Sequence, residues 1–156
     1  MVKNKISKNS SKNIIFNIIE KRLDYLWQSI DALDRKASTL IGFETIIVPI
    51  LFFNHSLIIK PAIYVFSAGL FMLFISLFLA VFSIKSYKFR GDPKPRGLYE
   101  GYIEKEEEKT LEAILASIIE SFEKNEKINS KKAMLLNHGF YFLFISLILI
   151  VISIYI

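Results

Sequence analysis

The sequence predicts an all-α integral membrane protein with three transmembrane helices and a small cytoplasmic helical layer. Of its 156 residues, 53% are hydrophobic, and they are concentrated in three blocks instead of being spread along the chain. A helix needs about 20 mostly apolar residues to cross roughly 30 Å of hydrocarbon. The blocks at 37–59, 62–84 and 137–156 are long enough, and the polar segments between them leave no room for a separate catalytic domain.

Residues 1–13 form a basic arm rich in Asn and Ser, which we expect to be disordered in water or to rest on anionic headgroups. A cleaved signal peptide is not expected, because Asn17, Glu20 and Lys21 interrupt the apolar run that follows the arm.

Residues 14–36 predict a cytoplasmic amphipathic helix that continues without a break into the first span. Apolar residues recur along it at alternating spacings of four and three, typical of a packed helix face. This heptad-like stripe consists of Ile15, Ile19, Leu23, Leu26, Ile30, Leu33, Ala37 and Leu40. Two interpretations remain open for the stripe: packing on another helix of the same chain, or self-association.

The first span, 37–59, begins directly after Arg35 and Lys36, which mark the membrane boundary because a cation is costly at the bilayer centre. Small residues along one side would allow close helix approach. They are Ser38, Gly42, Thr45 and Pro49. The proline is also expected to kink the span.

The second span, 62–84, ends at a basic Pro/Gly linker, 85–99, whose prolines and glycines stop any helix. A second cytoplasmic amphipathic helix is expected at 100–130, with a break at Asn129-Ser130 before the third span at 137–156. Both later spans contain a Gly-Ser-Ser stripe with spacings of seven residues, which suggests close packing between them or with neighbouring subunits. The stripes are Gly69, Ser76, Ser83 and Gly139, Ser146, Ser153.

Lys and Arg lie almost entirely in the N-terminal arm, the boundary of the first span and the segment between the second and third spans. The positive-inside rule therefore predicts a multi-pass protein of the inner (plasma) membrane, with a cytoplasmic N-terminus and an external C-terminus.

Glu44 is the sole acidic residue within an apolar block, about 10 Å deep if the bilayer begins at Ala37. An ionisable group at such depth is a candidate for an ion or proton path, and in an oligomer it would be repeated as a ring. With Ser38 and Gly42 it forms the predicted pore or intramembrane polar set. The alternative is that the bilayer begins nearer Ile41 and that Glu44 lies at the headgroups.

The basic residues of the linker are candidates for phosphate or lipid contacts, or alternatively serve only as topology determinants beside anionic lipid. They are Lys88, Arg90, Lys94 and Arg96. The sequence contains no cysteine, no metal-ligand spacing, no catalytic motif and no phosphate-binding loop, so no enzyme activity, metal, cofactor or nucleic-acid partner is expected.

The element Asp34-Arg-Lys36-Ala37-Ser38 at the membrane boundary resembles the opening of the first span in transmembrane effectors of prokaryotic cyclic-nucleotide defence systems. The Pycsar-type effector domain and the related SLATT-like modules share its layout of a leading helix, two spans, a cytoplasmic helix and a third span. The resemblance implies a membrane-perturbing or pore-forming protein that responds to a nucleotide signal during phage infection.

The expected function is therefore an oligomeric effector that permeabilises or perturbs the inner membrane in a nucleotide-triggered, abortive antiphage response. Its expected partners are the bilayer, further copies of the chain, and a nucleotide second messenger or a cytoplasmic sensor protein. The alternative is a non-conducting anchor or scaffold subunit that recruits a cytoplasmic partner.

Overall fold

The structure is a computed structural model that describes residues 2–54, 62–85, 89 and 107–155, with side chains described at 14–51, 62–85, 89 and 109–155. Within these ranges the chain forms three helices and no strand: α1 (Val2–Asn54), α2 (Ile63–Ile84) and α3 (Glu107–Tyr155). The all-α prediction is confirmed for this part of the chain.

Helix α1 is continuous over 53 residues, so the amphipathic stretch and the described part of the first apolar block lie on one helix. The helix differs from expectation at its start, since residues 2–13 are helical and not a disordered arm. No Pro or Gly occurs there, and each residue added to an existing helix gains a backbone hydrogen bond. Pro49 lies inside the helix, and the predicted end of the first span at 55–59 lies outside the described residues.

Helix α2 matches the predicted second span, starting one residue later than expected. Its backbone leaves the helix at Lys85, whose N–H still bonds to the Val81 and Phe82 carbonyls at 3.2 and 3.3 Å.

Helix α3 is a single helix of 49 residues, so the predicted break at Asn129-Ser130 is wrong. The Asn129 side chain donates a hydrogen bond to the Ser29 hydroxyl at 3.0 Å instead of competing for its own backbone. The predicted second cytoplasmic helix and third span are therefore one element, described from residue 107 onward.

Two helices are long and apolar enough to cross a membrane by length and composition among the described residues: α2 over Ile63–Ile84 and α3 within Lys109–Tyr155. The first predicted span has described side chains only as far as Leu51.

The chain divides into two compact units. The polar unit comprises Met1–Ile30 and Tyr87–Asn129, and its buried side chains include Leu26 and Ile30 of α1 and Ile118 of α3. The Ser29–Asn129 hydrogen bond also lies inside this unit.

The apolar unit comprises Asp31–Ser86 and Ser130–Ile156. One core joins its three helices, with α1, α2 and α3 each contributing two fully packed residues. They are Ala37, Leu40, Leu73, Ala80, Leu136 and Leu143. Ala37 and Leu40 of the heptad-like stripe therefore pack on the other helices of their own chain, whereas Ile15 at the start of the stripe is 45% exposed.

Helices α2 and α3 run antiparallel within the apolar unit. A Cβ placed on Gly69 would lie 3.3 Å from the Ser146 carbonyl oxygen, and one on Gly139 would lie 3.5 Å from the Ser76 carbonyl oxygen. The six residues of the two Gly-Ser-Ser stripes are all buried. The predicted close packing of these stripes therefore occurs between α2 and α3 of the same chain.

Candidate functional site

An ion pair ties α1 to α3 at one end of the apolar unit. The Lys132 ammonium lies 2.6 Å from the Asp34 carboxylate and is almost fully buried, while the carboxylate is 39% exposed. Helix α2 ends at the same level, because its antiparallel packing on α3 carries Lys85 toward Lys132. Apart from Glu44, the described charged residues of the three helices in this unit therefore gather at one end.

The predicted boundary motif has different structural roles along its length. Asp34 holds Lys132, and Ala37 is fully buried in the core, where a larger side chain would separate the helices. Lys36 and Ser38 are exposed, and the Ser38 hydroxyl donates to the Asp34 carbonyl at 2.9 Å. Asp34 and Ala37 thus stabilise the packing of α1, while the other two side chains face outward.

Glu44 occupies the next position of the heptad-like stripe after Leu40, so the helix carries its carboxyl into the core. The side chain is fully buried, and neither carboxyl oxygen has a hydrogen-bond partner among the described residues. The side chain is thus directed into the helix packing. A buried charge without a partner costs several kcal/mol, so such a group requires a compensating proton, cation or rearrangement.

Ser76 of α2 lies near the Glu44 carboxyl, although its hydroxyl does not bond to either carboxyl oxygen in the structure. Its hydroxyl donates to the Gly139 carbonyl of α3 at 2.7 Å, and a hydroxyl has a single proton to give. The Ser76 oxygen keeps its acceptor capacity toward the Glu44 carboxyl. The Ser76 side chain of α2 therefore lies near Glu44 of α1 and bonds to the Gly139 carbonyl of α3.

The predicted intramembrane polar set is divided by the structure. Ser38 and Gly42 lie on an exposed face of α1, and a Cβ on Gly42 would meet nothing within 4 Å. Glu44 lies on the buried face of the same helix. The three residues therefore do not form one surface in this packing.

The predicted phosphate or lipid contacts lie outside the described residues, as does the Pro/Gly linker apart from Lys85 and Phe89. No group of three or more potential metal-ligating side chains occurs within the part of the chain that the structure describes.

Sequence reasoning did not identify Lys132, Ser76 and Gly139 as parts of the site. For Ser76 and Gly139 the available signal was the repeated Gly-Ser-Ser stripe, since an antiparallel pair of such stripes places each glycine against a serine of the other helix. For Lys132 the signal was a cation just ahead of an apolar block in a chain whose other boundary carries Asp34.

The family model of the Pycsar effector protein domain matches residues 18–156, which includes all three helices of the apolar unit. The curated proteins and the solved structures contain no significant match. The matched region covers most of the chain and includes the boundary motif, so the chain belongs to the Pycsar effector protein domain family, whose members are effectors of cyclic-nucleotide antiphage defence with transmembrane character.

Proposed function

We propose that this protein oligomerises in the inner membrane and permeabilises or perturbs it when a cyclic-nucleotide signal reports phage infection. Family membership supports the antiphage and membrane parts of this proposal. The mechanism is inferred from two features of the apolar unit. Its charged residues lie at one end, and in its interior the Glu44 carboxyl has no hydrogen-bond partner among the described residues.

Three membrane crossings are part of the proposal. From Lys36 to the end of α1 at Asn54 the helix rises about 27 Å, and from Lys132 to Tyr155 helix α3 rises about 35 Å, at 1.5 Å per residue. Both lengths suit a hydrocarbon core of roughly 30 Å. Asp34 pairs with Lys132, and Leu40 packs beside Gly139, so α1 and α3 run parallel to each other in the apolar unit. Helix α2 runs antiparallel to both. An up-down-up arrangement follows.

In this proposal the basic end of the apolar unit faces the cytoplasm, and Tyr155 lies at the outer face. The chain has no cysteine, so single introduced cysteines report topology without background. Lys85→Cys is expected to react with an impermeant maleimide only after permeabilisation, and Tyr155→Cys before it. Labelling of both from the same side contradicts the three-span orientation.

The exposed Ser38–Gly42 face of α1 is the proposed contact between copies. Gly42 has open space around it, so a large side chain fits the protomer but blocks close approach of a second helix. Gly42→Leu is expected to preserve the protomer and to reduce cross-linked oligomers, whereas Gly42→Ala is the matched control with a minimal change. Unaltered oligomers in the leucine variant would remove this face from the proposal.

Activation in this proposal repacks the heptad-like stripe of α1, so that Glu44 leaves the core and joins Ser38 and Gly42 along a pathway. The signal reaches the protein as a cyclic nucleotide or through a cytoplasmic sensor protein, and Lys88, Arg90, Lys94 and Arg96 supply phosphate or lipid contacts. We propose no enzymatic step.

The test is dye and ion leakage from liposomes that contain the full chain, with and without cyclic nucleotides. Leakage that depends on the protein and increases with a nucleotide supports the proposal. Intact liposomes under all conditions, with the protein verified as inserted, contradict it.

A non-conducting anchor is the second candidate, and exposed apolar residues of the polar unit favour it. Ile14, Ile18 and Tyr25 of α1 are 56%, 51% and 70% exposed. Such residues suit a cytoplasmic partner protein. A stable partner in pull-downs, together with unchanged membrane potential on overexpression, would support this function. Ile18→Ser should then lose that partner and, with it, protection against phage.

A further inference from the structure

The apolar unit contains a carboxyl group whose charge nothing in the described packing balances. Glu44 is fully buried, and both of its oxygens lack partners among the described residues. Among the described residues of the unit, Lys132 is the one buried cation, and Asp34 holds it at 2.6 Å. Asp34 lies ten residues before Glu44 on the same helix, about 15 Å along its axis at 1.5 Å per residue.

The hydroxyl group near this carboxyl, that of Ser76, already donates its proton to another acceptor. Ser76 donates to the Gly139 carbonyl at 2.7 Å, and its oxygen retains lone pairs that can accept. An ionised Glu44 offers only acceptors and would face another oxygen. A protonated Glu44 offers the donor that the Ser76 oxygen lacks.

We infer that Glu44 is a proton-binding site, at which the neutral carboxylic acid donates to the Ser76 hydroxyl and Ser76 donates to the Gly139 carbonyl. This chain of two hydrogen bonds ties α1 to α2 and α2 to α3 in the middle of the apolar unit. The bound proton thereby stabilises the packed form of the three helices. The site is a property of the packed protomer, so it holds whether or not the protein permeabilises membranes.

A proton suits this site better than a metal ion. Calcium takes six to eight oxygen ligands and magnesium an octahedral set. The neighbouring oxygen that the contacts identify is the Ser76 hydroxyl, which itself donates to the Gly139 carbonyl. A proton needs only the carboxyl and a single acceptor.

Other titratable groups on the packed helices do not balance the carboxyl. The His138 ring is exposed, and its Nδ1 lies 2.7 Å from the Met134 carbonyl oxygen. Lys85 is exposed at the end of α2. The remaining titratable side chains on the described parts of these helices within the unit are Asp31, Asp34, Arg35, Lys36, Tyr64, Lys131, Lys132, Tyr141 and Tyr155. Of these only Lys132 is buried, and its ammonium pairs with Asp34.

Infrared difference spectroscopy of the full chain in lipid vesicles tests the proton directly. We compare the wild type with Glu44→Gln at neutral pH, since the amide preserves the shape and the ability to donate to Ser76. The expected result is a carbonyl band of a protonated carboxylic acid that is lost in the variant. A difference spectrum between the two proteins that contains only carboxylate bands would overturn the assignment.

The hydrogen bond to Ser76 has its own test. In Ser76→Ala the acid band is expected to move to higher frequency, because the O–H group loses its acceptor. Ser146→Ala, at the corresponding position of the α3 stripe, is the matched control and leaves the band in place. An unmoved band in the Ser76 variant overturns the hydrogen-bond chain. Loss of the acid band on addition of sodium at constant pH overturns the proton in favour of a metal ion.

Thermal unfolding gives a second readout with a defined sign. A carboxyl that is neutral in the folded form and ionised in the unfolded form releases a proton on unfolding, so stability falls as pH rises. The unfolding equilibrium constant is expected to rise about tenfold per pH unit between the ordinary carboxyl range and the pH at which folded Glu44 ionises. Glu44→Gln is expected to lack this dependence, and an equal pH dependence in both proteins counts against the site.

Discussion

Replacement by alanine should change the stability of the protein in opposite directions at the two glycines of the Gly-Ser-Ser stripes. A Cβ on Gly69 would lie 2.8 Å from Ile150 Cγ1 and 3.3 Å from the Ser146 carbonyl oxygen, which is closer than ordinary contact. A Cβ on Gly139 would meet Leu40, Ser76 and Leu79 at 3.5 to 3.8 Å, which is ordinary van der Waals contact. The first site is therefore already filled, and the second accepts a methyl group.

The magnitudes follow from two opposing terms. Overpacking costs about 1–3 kcal/mol, and replacement of a helical glycine by alanine gains up to about 1 kcal/mol. Gly69→Ala is therefore expected to lose about 1 kcal/mol, and Gly139→Ala to gain up to about 1 kcal/mol. The two variants should differ by about 4–8 °C in Tm, since each kcal/mol shifts Tm by about 2–4 °C in a chain of this size.

Circular dichroism melting of the purified protein in detergent measures this difference. Gly42→Ala is the reference for helix propensity alone, because its Cβ would have no neighbour within 4 Å. If Gly69→Ala melts at or above Gly139→Ala, the antiparallel register of α2 against α3 is wrong.

Three further predictions concern the other contacts of the two units. Asp34→Ala should destabilise more than Lys132→Ala, by about 1–3 kcal/mol, because it leaves a buried ammonium without its carboxylate, and equal unfolding free energies in denaturant titrations would argue against the ion pair. Ser146→Ala should be neutral or stabilising in the same titrations, since its buried hydroxyl has no partner among the described residues, whereas Ser76→Ala loses an interhelical hydrogen bond worth about 1 kcal/mol. Asn129→Ala should cost about 0.5–1.5 kcal/mol and raise hydrogen exchange near Ser29; unchanged exchange there would contradict that contact.

The sequence by itself determined that the chain is helical, where the apolar blocks lie, and that α1 passes from polar to apolar sequence without interruption. These features depend on local quantities: helix propensity, the spacing of apolar residues and the absence of helix breakers. It also carried the boundary motif from Asp34 to Ser38 that indicated the family. The same local signals wrongly predicted a helix break at Asn129, because its side chain bonds to a residue a hundred positions away.

Only the tertiary structure decided that Glu44 belongs to a buried face and which residues of the other helices each buried face meets. Ser38, Gly42 and Glu44 are close in sequence and all polar or small, yet the helical turn places Glu44 in the core and the other two on the surface. The partners of Asp34 and Ser76 come from α3, ninety-eight and sixty-three residues further along the chain. Contacts at that separation depend on the register between packed helices, and no local pattern in a single sequence specifies that register.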